Sequence, residues 1–353
     1  MKLTSSGVRA ARALLSSLLV PALLALAGLF EPGSSAPGYT CSAWFWYLPW
    51  CSSAPAGGGG DGTWTTETIA GMKVHLYVPA SEPRLDGGRA LMVNLHGCMQ
   101  SATDLRNGGN WAATADEYGM VVAIPDAPLG GTMFGGCWDY YGTSHSRTSP
   151  SRHDDNLLDL VSTLKTRTGL GIDPAQVYLT GLSSGAGESM VMGCLAPDVF
   201  AGIGLSAGPT VGTTVTQIGW VATDEDEAVE TCRRFAGTHA QAFGTQLTSV
   251  VYGDADTTVA QGYNRLNAQV MATIYDANRL STTSLTGFVG SNTAGRVTVH
   301  ADAVGPRVSI VLNSGLGHAW PAGGGPGGTY VSADSIDYPA YVTEFFFSHN
   351  RRV

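Results

Sequence analysis

The sequence predicts an α/β fold: a mostly parallel sheet in a single domain, with helices on both faces. Three observations lead there. Short β-favouring runs alternate with helix-compatible segments from residue 63 to the C-terminus. Several runs, such as 90–95 and 120–125, are almost continuously apolar, the pattern of strands buried on both faces. One run, 177–180, leads into Gly181-Leu182-Ser183-Ser184-Gly185. That Gly-x-Ser-x-Gly fits a sharp strand-to-helix turn that points a serine out above a sheet.

Taken in order, residues 63–69 and 72–79 alternate like the two arms of a hairpin. Residues 90–95 are apolar except for Asn94 and suit a buried strand. Residues 110–118 read as a helix and 120–125 as the next buried strand. Leu157, Leu158, Val161 and Leu164 recur at helical spacing within 154–166. The strand at 177–180 precedes a helix-compatible segment at 188–194. Residues 201–205 and 248–252 read as strands, 263–277 as a helix, 308–312 as a last strand and 338–349 as a C-terminal helix. Gly323 to Gly328 has no strand before it and no lysine, which excludes a phosphate loop and leaves a mobile loop.

The ends of the chain carry other signals. Lys2, Arg9 and Arg12 precede an uncharged stretch, 13–30, containing the small-x-small site Ala25-Leu26-Ala27. This reads as a secretory signal peptide over 1–27. An uncleaved anchor is the alternative, weakened by Pro21, Ser16 and Ser17. Residues 28–62 read as an appended segment. Cys41 and Cys51 bracket Trp44, Phe45, Trp46, Tyr47 and Trp50, and a glycine-rich linker follows. Rigid aromatics there could grip an apolar surface or cover part of the core. The catalytic domain is expected over 63–353.

The net charge of −9 and the lack of a basic stripe argue against nucleic acid as a partner. After leader cleavage no stable membrane insertion is expected, and the expected state is a monomer. The six cysteines all follow the leader, which suits an oxidising compartment. Loop proximity suggests Cys41–Cys51, Cys98–Cys137 and Cys194–Cys232 among the 15 pairings possible. No Cys-x-x-Cys and no second ligand near His96 supports a metal site, so neither metal nor organic cofactor is expected.

The chemistry starts from Ser183. With 47 glycines in the chain, Gly-x-Ser-x-Gly alone could arise by chance. The strand before it and the helix after it make Ser183 the nucleophile. A serine hydroxyl needs a base, and the base needs a carboxylate to orient it. In this class the chain order is Ser, acid, His. His318 sits in a glycine-bounded loop just after the apolar run 308–312, where such a sheet keeps its site. His300 lies in an alternating run and reads as a strand residue, and His349 closes the last helix. Asp254 and Asp256, in Gly253-Asp-Ala-Asp-Thr-Thr-Val259, are the candidate acids. Either could instead be a turn residue bonding its own backbone. The oxyanion donors fall to the N–H groups of Ser184 and Cys98, with the Cys98 side chain tied to Cys137.

Four motifs then carry a resemblance: Leu95-His-Gly-Cys-Met-Gln100, Tyr178-Leu-Thr-Gly-Leu-Ser-Ser-Gly185, Gly253-Asp-Ala-Asp-Thr-Thr-Val259 and Gly317-His-Ala-Trp-Pro321. In this order they resemble the extracellular polyhydroxybutyrate depolymerases, within a wider group of feruloyl and acetylxylan esterases. The resemblance runs from about Thr63 to the C-terminus. It implies an α/β-hydrolase fold and a triad of Ser183, Asp256 and His318. It also implies Cys98 and Ser184 at the oxyanion hole, and Trp320 lining a polymer groove. Many such depolymerases carry a polymer-binding domain after the catalytic domain, whereas this chain stops at Val353. Strong adsorption to crystalline polymer would then need a substitute such as the Trp44–Trp50 loop.

The expected activity is hydrolysis of poly(3-hydroxybutyrate) or a related short-chain polyester by a secreted, extracellular enzyme, a periplasmic location being the variant. The alternatives are a feruloyl or acetylxylan esterase acting on plant polysaccharide and a non-catalytic polymer-binding protein.

Overall fold

The computed structural model describes residues 39–42, 50–53, 62–133, 135–147 and 153–353. The leader, the linker, the aromatic loop and the side chains of the expected Cys41–Cys51 pair lie outside the described residues. Strands β1 (Tyr39–Ser42) and β2 (Trp50–Ser53) pair as a two-stranded sheet.

From residue 63 onward the chain builds one ten-stranded sheet. Strands β3 (Thr63–Ile69) and β4 (Met72–Val78) form the expected hairpin. Its two-residue turn, Ala70-Gly71, has φ of 51° and 75°. Two left-handed residues match the twist of the flanking strands, and glycine takes the second place without strain.

Next come β5 (Arg89–Leu95), α1 (Ala102–Gly108), α2 (Trp111–Tyr118), β6 (Val121–Pro125) and α3 (His153–Thr166). They are followed by β7 (Ile172–Leu182), α4 (Ser184–Leu195), β8 (Gly202–Ser206), α5 (Glu225–Ala236), β9 (Leu247–Gly253) and α6 (Gln261–Ile274). The chain ends with β10 (Arg279–Ser284), β11 (Gly295–Ala301), β12 (Pro306–Asn313), the short pair β13 (Trp320–Pro321) and β14 (Val331–Ser332), and α7 (Tyr338–His349).

The order across the sheet is β10-β11-β12-β9-β8-β7-β5-β6-β4-β3. The six strands from β12 to β6 are parallel. Antiparallel strands close both edges. The parallel strands are rich in buried apolar residues because helices cover both faces. One face packs on α3, α4, α5 and α6 through residues such as Leu157, Met190, Ala228 and Val270. The other packs on α1, α2 and α7 through Leu105, Trp111, Phe345 and Phe346. Asn94, the polar break in β5, is buried and donates to Thr180 Oγ1 on neighbouring β7 at 2.8 Å.

Differences from the sequence expectation have local causes. Helix α4 begins at Ser184, four residues earlier than its apolar run suggests, because the elbow feeds straight into the helix. Helices α1 and α5 were not expected. Each carries an N-terminal cap: Ser101 and Asp104 form a capping box, and Asp224 accepts from Glu227 N. The glycine-rich segment 323–328 is anchored at its base by the β13–β14 pair and by Ala322 N donating to Ser332 O at 2.9 Å. Among the described residues no helix is long and apolar enough to cross a membrane.

Candidate active site

Ser183 stands between β7 and α4 with φ 56° and ψ −116°, a conformation few non-glycine residues adopt. The turn is held by Ser183 N donating to Ser206 O and Gly187 N donating to Ser183 O, both at 2.9 Å. Its glycines are sterically required. A β-carbon at Gly181 would overlap the Gly185 carbonyl, and one at Gly185 would lie 2.5 Å from Leu95 O. A β-carbon at Gly97 would lie 3.3 Å from Ser183 Cβ, so the loop after β5 runs directly beside the serine.

Asp256 and His318 meet. Asp256 Oδ2 accepts from His318 Nδ1 at 2.9 Å. The other carboxylate oxygen accepts from Thr258 N at 2.8 Å and Val259 N at 3.1 Å. Three partners thus fix the buried carboxylate, and the carboxylate orients the imidazole through Nδ1. Among the described residues His318 hydrogen-bonds Asp256, and no hydrogen bond joins it to Ser183 Oγ.

Asp254, the other acid considered, is exposed and accepts from Gly315 N at 2.7 Å. It braces the loop that leads to His318. That loop touches the acid loop main chain to main chain: Ala255 N donates to Leu316 O at 3.1 Å, and a β-carbon at Gly253 would overlap the same carbonyl.

The loop after β5 carries Cys98. A disulfide ties Cys98 to Cys137, and a second joins Cys194 on α4 to Cys232 on α5. Trp138, next to Cys137, donates its backbone N–H to Ser184 Oγ at 3.3 Å. One loop is therefore fastened to both residues expected to supply oxyanion donors. Ser184 is the first residue of α4, so its N–H has no acceptor within the helix.

Two residues brace this loop that sequence reasoning did not assign. His96 is buried; its Nδ1 donates to Gly97 O at 2.8 Å and its Nε2 accepts from Ala127 N at 3.1 Å. An accepting Nε2 means a neutral ring, and burial lowers its pKa in the same sense. Gln100 accepts from Gly97 N at 2.9 Å through Oε1 and donates to Thr329 O at 2.7 Å through Nε2. Both lie in Leu95-His-Gly-Cys-Met-Gln100, so the motif was visible although the roles were not.

Trp320 corrects an expectation. Its side chain is 0% exposed, its indole N–H donates to Gly109 O at 3.2 Å, and its ring packs 5.7 Å from Trp111 and 5.4 Å from Tyr338. It is a core residue and does not line a groove. The aromatic ring beside His318 is instead the exposed Tyr330, edge-on at 6.4 Å. His300 lies on β11 and His349 ends α7, and neither is hydrogen-bonded to Asp256 or His318. Among the described residues no cluster of three or more His, Cys, Asp or Glu side chains could hold a metal ion.

A family model described as "Esterase PHB depolymerase" matches residues 72–284, more than half of the chain. A poly(3-hydroxybutyrate) depolymerase of Ralstonia pickettii is 41% identical over 316 residues, which cover 85% of this chain and 63% of that protein. The chain therefore spans less than two thirds of that relative's length. A probable acetylxylan esterase A of Aspergillus flavus is 26% identical over 261 residues, 70% of this chain and 79% of that one. The solved acetyl xylan esterase from Aspergillus awamori superposes with a TM-score of 0.59 at 20% identity, over 73% of this chain and 94% of that one. This likeness and the sheet order show the α/β-hydrolase fold. The family match and the 41% identity lead to one conclusion: the chain belongs to the esterase PHB depolymerase family.

Proposed function

We propose that the protein is a secreted serine esterase that hydrolyses poly(3-hydroxybutyrate) or a related short-chain polyester. The observation that carries the reading is the 2.9 Å Asp256–His318 hydrogen bond at the same sheet end as a serine on a strained elbow. The polymer substrate is supported by the identity to the R. pickettii depolymerase. Secretion is supported by the leader-like N-terminus and by two disulfides.

In this reading Ser183 Oγ attacks the ester carbonyl carbon while its proton passes to His318 Nε2. The negative charge that develops on the carbonyl oxygen is held by the N–H groups of Cys98 and Ser184, already oriented before reaction. Asp256 stabilises the imidazolium through Nδ1–H without taking its proton. Collapse breaks the C–O bond, and the imidazolium protonates the departing hydroxyl end of the polymer. Water, deprotonated by His318, then releases the 3-hydroxyacyl group from Ser183.

Replacing Ser183 with Ala should abolish hydrolysis of a short-chain p-nitrophenyl ester and clearing of a polyhydroxybutyrate suspension. Turnover retained by the variant would remove Ser183 from its role. A second reading, removal of acetyl groups from plant polysaccharide, draws on the acetylxylan esterase relatives and uses the same side chains. Acetate release from acetylated xylan without clearing of the polyester would favour it. Failure of a fluorophosphonate to label Ser183 would favour a binding protein without catalysis.

A further inference from the structure

Strands β7 and β8 are each followed by a non-glycine residue with left-handed φ: Ser183 at 56° and Ala207 at 49°. Such backbone persists only where the surroundings over-determine it. Ala207 is buried, and part of its hold is main chain: its N–H donates to Val251 O on β9 at 2.9 Å. The rest comes from a side chain. Asn267 on α6 is buried, and its Nδ2 donates to Gly208 O at 3.1 Å and to Pro209 O at 3.4 Å. Two carbonyl acceptors fix which amide atom faces the loop.

The loop held in this way lies against the nucleophile elbow. A β-carbon at Gly208 would lie 2.4 Å from Ala186 Cβ and 3.2 Å from Gly187 N, so the loop main chain touches the first turn of α4. Further along, Thr213 O accepts from Gly142 N at 2.9 Å. That bond ties the loop to the segment whose Trp138 N–H reaches Ser184 Oγ. The N-terminal end of α6 holds the acid loop: Gln261 Nε2 donates to Asp254 O at 2.9 Å and to Asp256 O at 3.4 Å. The two polar side chains lie about 9 Å apart along one helix axis. Helix α6 therefore bridges the loop that carries Asp256 and the loop that backs Ser183.

We propose that Asn267 is a positioning residue: through the Gly208 and Pro209 carbonyls it holds the loop after β8 against the first turn of α4, and so sets the nucleophile elbow relative to the acid loop at the other end of α6. Its amide acts only through main chain and touches no reacting atom. The proposal rests on the esterase reading for the roles of Ser183 and Asp256.

The test compares Asn267→Leu with the parent chain in two measurements. In steady-state kinetics on p-nitrophenyl butyrate, kcat should fall about tenfold or more with little change in KM, because misplaced reacting groups slow the chemical step more than they weaken binding. In amide hydrogen exchange, residues 183–187 and 206–213 should exchange about tenfold faster, the effect of losing about one net hydrogen bond. Thermal melting checks that the variant is folded at the assay temperature, and Asn267→Ala replaces it should the leucine branch prevent folding. Asn264→Leu is the control. It lies one turn earlier on α6, is equally buried, and carries an amide with no hydrogen-bond partner among the described residues. It should keep the parent's kcat and exchange rates.

Parental kcat in a folded Asn267 variant would overturn the proposal. So would unchanged exchange at 183–187, or an equal loss of kcat in Asn264→Leu. Hydrogen exchange is read without turnover, so failure here is distinct from failure of the esterase reading, which the Ser183→Ala activity assay tests.

Discussion

The side-chain amide of Gln100 donates to Thr329 O at 2.7 Å while its carbonyl accepts from Gly97 N at 2.9 Å. The two partners, one a carbonyl and one an N–H, fix which way the amide faces. One buried side chain thereby couples the loop carrying Cys98 to the loop that follows His318. Replacing Gln100 with Met removes both bonds at similar volume. Misplacing an oxyanion donor costs less than deleting it, so kcat on p-nitrophenyl butyrate should fall about tenfold with little change in KM. A variant that loses thermal stability yet keeps kcat would show a purely structural role.

Asp256→Asn should be far more damaging than its size suggests. The oxygen that accepts from Thr258 and Val259 can be kept, so the fold should survive. The amide nitrogen would then face His318 and force the wrong tautomer, lowering kcat by about 10⁴. Asp254→Asn should cost less than about tenfold, since it perturbs one exposed hydrogen bond in a bracing role. Steady-state kinetics on a soluble ester ranks the two.

Trp320→Ala should act on stability. Removing a fully buried indole leaves a cavity between Trp111 and Tyr338 and an unmet Gly109 carbonyl. The loss should be about 3–5 kcal/mol, read from denaturant unfolding. A variant with unchanged stability and a raised KM would return Trp320 to the substrate groove.

Asp337, the N-cap of α7, gives a pH prediction. Burial pushes its carboxyl from 3.8 up to about 7, with Glu117 adding repulsion. Ala340 N at 3.1 Å and the Asn110 amide at 2.8 Å offset this only in part. A carboxylate pKa raised by folding means the folded chain holds the proton longer than the unfolded chain. That stabilisation is complete below about pH 4 and is lost as pH rises towards about 7. Asp337→Asn, which cannot ionise, should therefore gain in melting temperature relative to the parent between pH 4 and 7. A constant difference across that range would count against the shift.

Much of this was legible in the sequence, for reasons visible in particular residues. The buried strands β5, β6, β8 and β9 announce themselves because parallel strands leave no room for polar alternation. Ser183, His318 and the acid loop were legible because each lies at a strand end with glycine beside it. Helix α5 was harder to see, since its buried residues Ala228, Val229, Cys232 and Phe235 are scattered among seven charged or polar neighbours. Trp320 misled because its motif sits next to His318, whereas side-chain direction depends on the β13–β14 pairing and on Trp111, far away in sequence. Asn267 gave no signal, because nothing local in a sequence says which carbonyls a buried amide will reach.

Gly253 sets a limit on how this protein can be re-engineered. Loop grafts or libraries at 254–255 or 314–317 can alter the chemistry only if residue 253 stays without a side chain, since even one methyl group would wedge the two segments apart. Alanine there, the mildest replacement available, should prove as disabling as losing the acid itself.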